Sequence, residues 1–337
     1  MSSLRVIGGQ QVLDLLAGRD AEVVEAVRGA YLAHAAGRTA VPHSTFLTFP
    51  DRPADRIIAL PAYLADGSGE AAGIKWVSSF PSNTAAGAER ASAVIVLNSM
   101  ADGRPACVME GSVINARRTA ASAALAARVL HGGAAPARVG AIGCGRIQFE
   151  ILRFLLGQGP PVASVVLHDL DAGRRDRLAA TVAGWGIECR PAAAVDEVLA
   201  ACDLVSFATT AGTPHVDRLD GCPPGATILH VSLRDLAPDA IAACDNVADD
   251  IDHVCRAGTS LDLAARRLGH RDFIRCAIGD VLAGRQPARA GERTVVFSPF
   301  GLGILDVAVA RLVAGLAERA GAGAEIPDFL PPVWSAT

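Results

Sequence analysis

Residues 138–148 read RVGAIGCGRIQ, and the fold class of the chain is most readily inferred from them. A mostly apolar run over 138–142 predicts a short buried strand. Gly143 and Gly145 follow it directly, and two glycines spaced in this way allow a tight turn into a helix. The stretch therefore predicts the opening strand, turn and helix of a βαβ unit.

The sequence that follows this turn alternates between short apolar runs and longer helical stretches. Strands are predicted at 138–142, 164–168, 204–208, 227–232, 246–248 and 294–297. Alternation of this kind is typical of βαβ units around a parallel sheet.

The sequence before the turn does not show this alternation of strands and helices. Residues 1–40 are predicted to be mainly helical, and short β-like segments separated by turn residues follow up to about residue 109. An alanine-rich helix is then predicted from Ile114 to Leu130, with Gly132-Gly133 as its end. A last helix is predicted over 301–320. Its helical pattern resembles that of the N-terminal region, so we expect this helix to pack on the first domain.

Composition narrows the class of protein. The chain has 337 residues, of which 51% are hydrophobic and 20% charged, which favours about two globular domains. A net charge of −4 disfavours nucleic acid or anionic membrane as a partner. No apolar run approaches the roughly 18 residues of a membrane span, and the N-terminal residues lack the apolar core of a signal peptide. We expect a soluble, cytoplasmic protein.

The eight cysteines are scattered and form no CxxC pair. This spacing predicts small buried side chains in a reducing compartment, with neither a metal site nor a disulfide framework.

Lys75 is the single lysine among 31 basic residues. Arginine replaces lysine on a solvated surface at little cost, but not where a compact, titratable amine is required. Lys75 lies in the apolar segment GIKWV, where an inward charge would need a partner. An edge-strand lysine that faces water is the alternative; we expect a functional role.

The glycine turn also predicts a phosphate-binding function. Gly143 and Gly145 would allow backbone N–H groups to approach a pyrophosphate at a helix N-terminus. The third position of the fingerprint is Gln148 rather than glycine or alanine, so the motif is imperfect. A turn without a nucleotide remains the alternative.

Asp169 bears on which dinucleotide would bind. It follows the second predicted strand, 24 residues after Gly145, where an acid accepts hydrogen bonds from ribose hydroxyls and repels a 2′-phosphate. This favours NAD, while Arg174 and Arg175 lie close enough in sequence to leave NADP open.

Several stretches occur in the order of one known family: GIKWVSSFPSN, RPACVMEGSVINARRTAASAALAA, the glycine turn, HVSLRDLAP and FSPFGLGILDVAVA. The chain resembles the ornithine cyclodeaminase/mu-crystallin family over nearly its whole length. Within it, SSFPSN, ERASAVIVLN and SLRDL look most like the N-(2-amino-2-carboxyethyl)-L-glutamate dehydrogenases. Those enzymes use NAD to release L-2,3-diaminopropionate and 2-oxoglutarate for siderophore or peptide natural products.

The resemblance implies an α/β fold with two domains. A Rossmann-type NAD-binding domain would span residues 131–300. An α+β domain for substrate binding and dimerisation would be formed from both termini, residues 1–130 and 301–337. The implied protein is a homodimeric NAD-dependent oxidoreductase that acts on a CH–NH bond.

Site residues follow from the resemblance position by position. Lys75 and Arg118 match the family's substrate-carboxylate residues, and Asp235 matches its catalytic acid/base. We take Lys75 and Asp235 as the catalytic candidates and Arg118 as substrate-binding. An arginine in an alanine-rich helix that packs in a core also needs an anion. The weaker substrate-binding candidates are Arg90, His43, Arg234 and Phe300. The cofactor-binding candidates are Gly143, Gly145, Arg146, Ile147, Asp169, Thr209, Thr210, Thr119, Ser232 and Leu233.

Two departures from the cyclodeaminases fall where substrate is expected. Pro42-His43-Ser44 stands where they have an arginine two residues after a proline, and Leu233-Arg234 stands where they have two glycines. Both disfavour ornithine cyclisation. Arg90, Arg234 and His43 together favour a substrate with several carboxylates. A cyclodeaminase, an imine reductase and a non-catalytic nucleotide-binding protein remain alternatives, the last disfavoured by Lys75 and Asp235.

Overall fold

A computed structural model describes residues 3–132 and 137–331. The chain divides into two compact units. Unit 1 consists of the described residues up to Arg118 together with those from Leu302 onward, and unit 2 is Thr119–Gly301.

The elements of both units are numbered along the chain. The strands are β1 (Leu4–Ile7), β2 (Thr39–Ala40), β3 (Thr45–Phe49), β4 (Arg52–Asp66), β5 (Gly69–Ser79), β6 (Ala91–Asn98), β7 (Pro105–Glu110), β8 (Ala137–Ile142), β9 (Val162–His168), β10 (Glu188–Pro191), β11 (Leu204–Phe207), β12 (Thr227–His230), β13 (Asp245–Ala248), β14 (Ile274–Ala277), β15 (Val295–Ser298) and β16 (Ala324–Ile326). The helices are α1 (Gly9–Leu15), α2 (Asp20–Ala35), α3 (Ser112–Leu130), α4 (Arg146–Gln158), α5 (Ala172–Gly184), α6 (Val195–Ala201), α7 (Pro238–Ala242), α8 (Ile251–Val254), α9 (Ser260–Leu268), α10 (Ile278–Leu282) and α11 (Gly303–Ala320), with a 3₁₀ segment at Pro81–Ala86. None of the helices in the described ranges is long and apolar enough to cross a bilayer.

Unit 2 contains a parallel sheet with the strand order β10-β9-β8-β11-β12-β15-β13-β14. The first strand, β8, lies in the interior, with β9 and β10 on one side and β11 on the other. This is the strand arrangement of a dinucleotide-binding sheet, whose ligands lie where the order reverses, here at β8 and β11. The predicted Rossmann-type fold is confirmed.

Unit 1 is built on a mainly antiparallel sheet with the order β16-β1-β7-β6-β5-β4-β2, and β3 also pairs with β4. Helices α2 and α11 pack against it. The prediction that residues 1–40 are mainly helical is wrong over Leu4–Ile7, because this short segment pairs with the distant strands β7 and β16. The predicted α+β second domain is confirmed.

The boundary between the units differs from the predicted one. It falls between Arg118 and Thr119, inside α3, rather than after residue 130. The first half of α3 is fastened to unit 1, since Arg117 Nη1 donates to the Leu16 carbonyl at 2.9 Å. The second boundary, at 301–302, is displaced by one residue. Of the predicted helix end at Gly132-Gly133, the second glycine lies outside the described residues, and α3 ends at Leu130.

All eight cysteines lie in the described ranges and are free, and six of them are buried. Burial raises the pKa of the Cys144 thiol to about 12. These side chains therefore contribute to packing rather than to thiolate chemistry.

Candidate active site

Lys75 points inward from the middle of β5. It pairs with Leu60 of β4 and Ile95 of β6, and all three residues are buried on one face of the sheet. Its Nζ lies 2.7 Å from Asp306 Oδ2 and donates to Asn115 Oδ1 at 2.9 Å. Only 2% of Lys75 is exposed, so the alternative of a water-facing edge lysine is wrong.

Arg118 joins the same group from α3. Its Nε donates to Asp306 Oδ1 at 3.0 Å and its Nη2 donates to Asn115 Oδ1 at 2.7 Å. We call these four residues the Lys75 cluster: Lys75, Asn115, Arg118 and Asp306. Two cations share one carboxylate in it, so the cluster keeps a positive excess that a bound carboxylate would neutralise.

The pKa of Lys75 reflects this environment. Burial lowers it, the Asp306 carboxylate opposes that effect, and the charge of Arg118 lowers it further, which brings the pKa to about 8. The ammonium therefore exchanges its proton much nearer to neutral pH than an ordinary lysine does.

Asp306 and Asn115 were not identified from the sequence. The available signals were an acid inside the otherwise apolar stretch GILDVAVA and an asparagine three residues before Arg118, on the same helix face. Asp306 is 188 residues from Arg118 along the chain, so its pairing depends on the tertiary fold.

A second group of polar side chains surrounds Asp235 in unit 2, shortly after β12. The Asp235 carboxylate is wholly buried and accepts hydrogen bonds from the hydroxyls of Thr209 and Ser232. His215 Nε2 lies 3.1 Å from Oδ1, and His230 Nε2 lies 3.3 Å from Oδ2. We call these residues the Asp235 cluster.

The surroundings of Asp235 hold its carboxyl group in the ionised form. Burial raises the pKa of Asp235, but hydrogen bonds and the charge of His230, with the Ser232 and Thr209 hydroxyls, lower it more, so the net pKa lies well below the usual range. A carboxylate of this kind accepts a proton poorly and orients its donors well. Asp235 alone is thus a weak base.

His215 is the more suitable group in this cluster for proton exchange, because 39% of its side chain is exposed. The carboxylate of Asp235 fixes the orientation of its ring, as in other His–Asp pairs. Sequence reasoning missed His215; the available signal was a histidine in the loop after β11, at the edge of the sheet that faces ligands.

The glycine turn has the geometry that a dinucleotide requires. Gly143 has φ +84°, and a Cβ there would lie 2.6 Å from the Ala208 carbonyl oxygen. A Cβ on Gly145 would meet no atom of the described residues within 4 Å. Helix α4 then begins at Arg146 without a side-chain cap, so the N-terminus of the helix, where Ile147 lies, directly follows this open turn.

Asp169 lies beside the turn. Its Oδ2 accepts from the Cys144 backbone N–H at 2.6 Å and its Oδ1 accepts from Asp171 N–H at 2.8 Å. Arg174 pairs with Asp171 and Arg175 with Asp176, so both arginines already have acidic partners. The turn, the uncapped helix and this carboxylate fit an adenine dinucleotide without a 2′-phosphate.

Gln148 explains the imperfect fingerprint. It is fully buried in α4, and its Oε1 accepts from Ser206 Oγ of β11 at 3.2 Å. A glycine at this position serves close packing of helix on strand, and here a hydrogen bond between the two elements takes its place.

The remaining cofactor candidates occupy different places within unit 2. Thr209 and Ser232 belong to the Asp235 cluster, whereas Thr210 is exposed. Leu233 has φ +72°, a left-handed conformation that is uncommon for leucine and that accompanies the sharp turn before Asp235. Thr119 is half-buried in α3.

The weaker substrate candidates do not join either cluster. Arg234 Nη2 donates to the Ala257 carbonyl at 2.8 Å, and the Phe300 N–H donates to Asp249 Oδ1 at 2.9 Å. His43 is exposed between β2 and β3. Arg90 lies just before β6, where its Nε donates to Ser79 Oγ at 3.2 Å.

Comparisons with known proteins agree with this architecture. The family model described as Ornithine cyclodeaminase/mu-crystallin family matches residues 14–321. An alanine dehydrogenase of Archaeoglobus fulgidus is 27% identical over 95% of this chain and 97% of its own length. An N-((2S)-2-amino-2-carboxyethyl)-L-glutamate dehydrogenase of Staphylococcus aureus is 28% identical over 80% of this chain and 81% of its own.

A solved structure, an archaeal alanine dehydrogenase dimer with bound NAD, superposes with a TM-score of 0.87 at 24% identity. It covers 97% of this chain and 100% of its own. The fold of both units and the family match over residues 14–321 lead to one conclusion. The chain belongs to the ornithine cyclodeaminase/mu-crystallin family.

Proposed function

We propose that this protein is an NAD-dependent oxidoreductase that acts on the CH–NH bond of an amino-acid-derived substrate. NAD is the cofactor, supported by the geometry of the glycine turn, by Asp169 and by the NAD-bound structural neighbour. Gly143, Gly145, Arg146 and Ile147 would hold its phosphates. Asp169 would hold the ribose hydroxyls that border the adenine.

The specific reaction that we propose is the oxidative hydrolysis of N-(2-amino-2-carboxyethyl)-L-glutamate to L-2,3-diaminopropionate and 2-oxoglutarate. The observation that supports it most strongly is the positive excess of the buried Lys75 cluster, which suits a carboxylate. The Staphylococcus aureus relative is named for dehydrogenation of this compound. The diamino acid that this reaction would release is a building block for siderophores and peptide natural products.

The balance of the reaction assigns tasks to the two clusters. When bound, NAD supplies the oxidation by accepting a hydride from the glutamate α-carbon. The substrate also loses the N–H proton, and one water then adds to the C=N bond to give the ketone and the primary amine. Lys75 and Arg118 bind a carboxylate and fix the reacting carbon. His215, oriented by Asp235, takes the proton from the water.

We further propose that the protein is a homodimer formed through the outer face of the unit 1 sheet. The residues that alternate with Lys75 along β5 include Ile74 and the exposed Trp76, and strand register places Val94 and Val96 beside them. This face is apolar and half-exposed, whereas the opposite face is buried. A second copy would cover it. The free, buried cysteines favour the cytoplasm as its compartment.

The proposed reaction is tested by incubating the purified protein with NAD and a panel of amines, with NADH absorbance as the readout and products identified by mass spectrometry. The panel contains N-(2-amino-2-carboxyethyl)-L-glutamate, L-alanine, L-ornithine and L-proline. We expect turnover of the first compound with equal amounts of NADH, 2-oxoglutarate and diaminopropionate. Preference for alanine, or ornithine cyclisation, would replace this proposal.

A further inference from the structure

Two arginines of unit 1 lie close together, and neither has a carboxylate partner among the described residues. Arg56 is in β4, opposite Ser79 of β5, and Arg90 Nε donates to the Ser79 hydroxyl at 3.2 Å. None of the ion pairs among the described residues involves either arginine. The Arg56 Nε is buried and has no hydrogen-bond partner within the described part of the chain.

The two guanidinium groups are near enough to repel each other. Burial lowers the pKa of Arg90, and the charge of Arg56 lowers it further. Asp55, the acid next to Arg56 in the chain, is engaged with Arg52 at 3.9 Å. Two half-buried, like charges without a counter-ion are unfavourable unless an anion binds between them.

The pair lies on the same face of the sheet as Lys75. Lys75 is opposite Leu60 and Ser79 is opposite Arg56, so each strand advances four residues between the two positions. Side chains four residues apart in a strand point to the same side, and the interval is about 13 Å along the strand.

Helix α11 packs on the part of this face from Leu60 onward. A Cβ on Gly303, the first residue of α11, would lie 3.1 Å from the Leu60 carbonyl oxygen, and further along Arg311 Nη2 lies 2.6 Å from Asp66 Oδ2. The helix therefore runs along β4 away from Arg56. Its N-terminus, without a side-chain cap, is the end nearer the arginine pair and adds positive potential there.

We propose that Arg56 and Arg90 form a second anion-binding subsite on the face that carries Lys75, and that this subsite holds the far carboxylate of a dicarboxylic substrate. The inference deepens the proposed function and rests on it, since Lys75 and Arg118 are taken to hold the first carboxylate. Planar guanidinium groups suit a carboxylate through paired hydrogen bonds. The substrate class is thus an amino-acid-derived amine with carboxylates at both ends.

Equilibrium binding tests the subsite independently of turnover. Isothermal titration calorimetry, with and without NAD, would measure 2-oxoglutarate and pyruvate on the wild type, Arg56→Met and Arg90→Met. We expect each variant to weaken 2-oxoglutarate binding by about 10- to 100-fold, as for loss of a charge-assisted hydrogen bond, and to leave pyruvate unchanged. Arg104→Met, in the exposed turn before β7, is the matched control and should change neither.

The outcomes separate the subsite from the reaction. If no amine of the panel is oxidised but the two variants selectively lose 2-oxoglutarate binding, the subsite is supported and the proposed reaction is wrong. Equal weakening of both ligands, or no change in either folded variant, overturns the subsite even if the amine is oxidised. Circular dichroism confirms folding, and Arg90→Met provides the test if Arg56→Met is unstable.

Discussion

The Lys75 ammonium lies 2.7 Å from Oδ2 of Asp306, and the two side chains are 2% and 1% exposed. An ion pair this deeply buried is costly to break, because removal of either partner leaves a charge without compensation. Arg118 adds a second cation to the same carboxylate. The protein thus maintains an excess of positive charge inside unit 1. This charge is unfavourable for stability, but it favours the binding of an anion.

Lys75→Arg is expected to fold and to bind NAD but to lose turnover by on the order of 100-fold. The larger, planar guanidinium would displace the carboxylate, and a displacement of about 1 Å can cost this much. Steady-state NADH production measures the loss. Arg311→Lys, also in unit 1 and paired with Asp66, is the control. Near-wild-type turnover of Lys75→Arg would remove Lys75 from the active site.

The pH dependence of the wild type follows from the lowered pKa of Lys75. Below about 8 the side chain is an ammonium that binds a carboxylate, and above it the neutral amine does not. We expect kcat/KM to fall as pH rises through about 8, with the melting temperature followed at each pH to exclude unfolding. The residual activity of Lys75→Arg should not fall in this pH range. The same fall of kcat/KM in that variant would assign the titration to another group.

Asp169→Ser is expected to improve NADP relative to NAD, because the carboxylate that would repel the 2′-phosphate is gone. Cofactor dissociation constants from fluorescence titration give the ratio. Asp171→Ser is the matched control, since Asp171 caps α5 in the same loop and its loss should leave the cofactor preference unchanged. A wild type that already prefers NADP would contradict the assignment of Asp169.

His215→Asn is expected to lower kcat by on the order of 100-fold, the usual contribution of a positioned acid or base. The double variant with Asp235→Asn should be little worse than the more impaired single variant, because the two residues act as a unit. His270→Asn replaces another unit 2 histidine that is paired with an acid, and serves as control. Additive losses in the double variant would show that the two residues act separately.

Trp76→Glu is expected to give a monomer, because a charge on the apolar outer face of the unit 1 sheet would oppose its burial against a second copy. Light scattering at micromolar concentration measures the mass. Leu170→Glu changes a more exposed apolar residue of unit 2 and should leave the dimer intact. A monomeric wild type would exclude the proposed dimer.

The Rossmann-type unit was predictable because its signals are local. The strand over 138–142, the glycine turn and Asp169 follow one another within a few tens of residues, and the observed β8, α4 and β9 coincide with them. Strand β1 was not predictable in this way. Its four residues become a strand only by pairing with β7 and β16, which are remote in the chain.

The site was predictable only in part, for the same physical reason. Lys75 is conspicuous as a single lysine, and Arg118 as a charge in an apolar helix. Their partner Asp306 is brought to them by α11 from far along the chain. The depressed pKa of Asp235 likewise arises from donors on several segments, so no spacing rule indicates it.

The burial of Lys75 also makes one protease a specific reporter of unfolding. Endoproteinase Lys-C cleaves after lysine, and this chain offers it one bond, between Lys75 and Trp76. That bond lies in the middle of β5, with hydrogen-bonded strands on both sides. The folded protein should resist cleavage, and the rate at which two fragments appear would measure every opening, local or global, that exposes this strand of the unit 1 sheet.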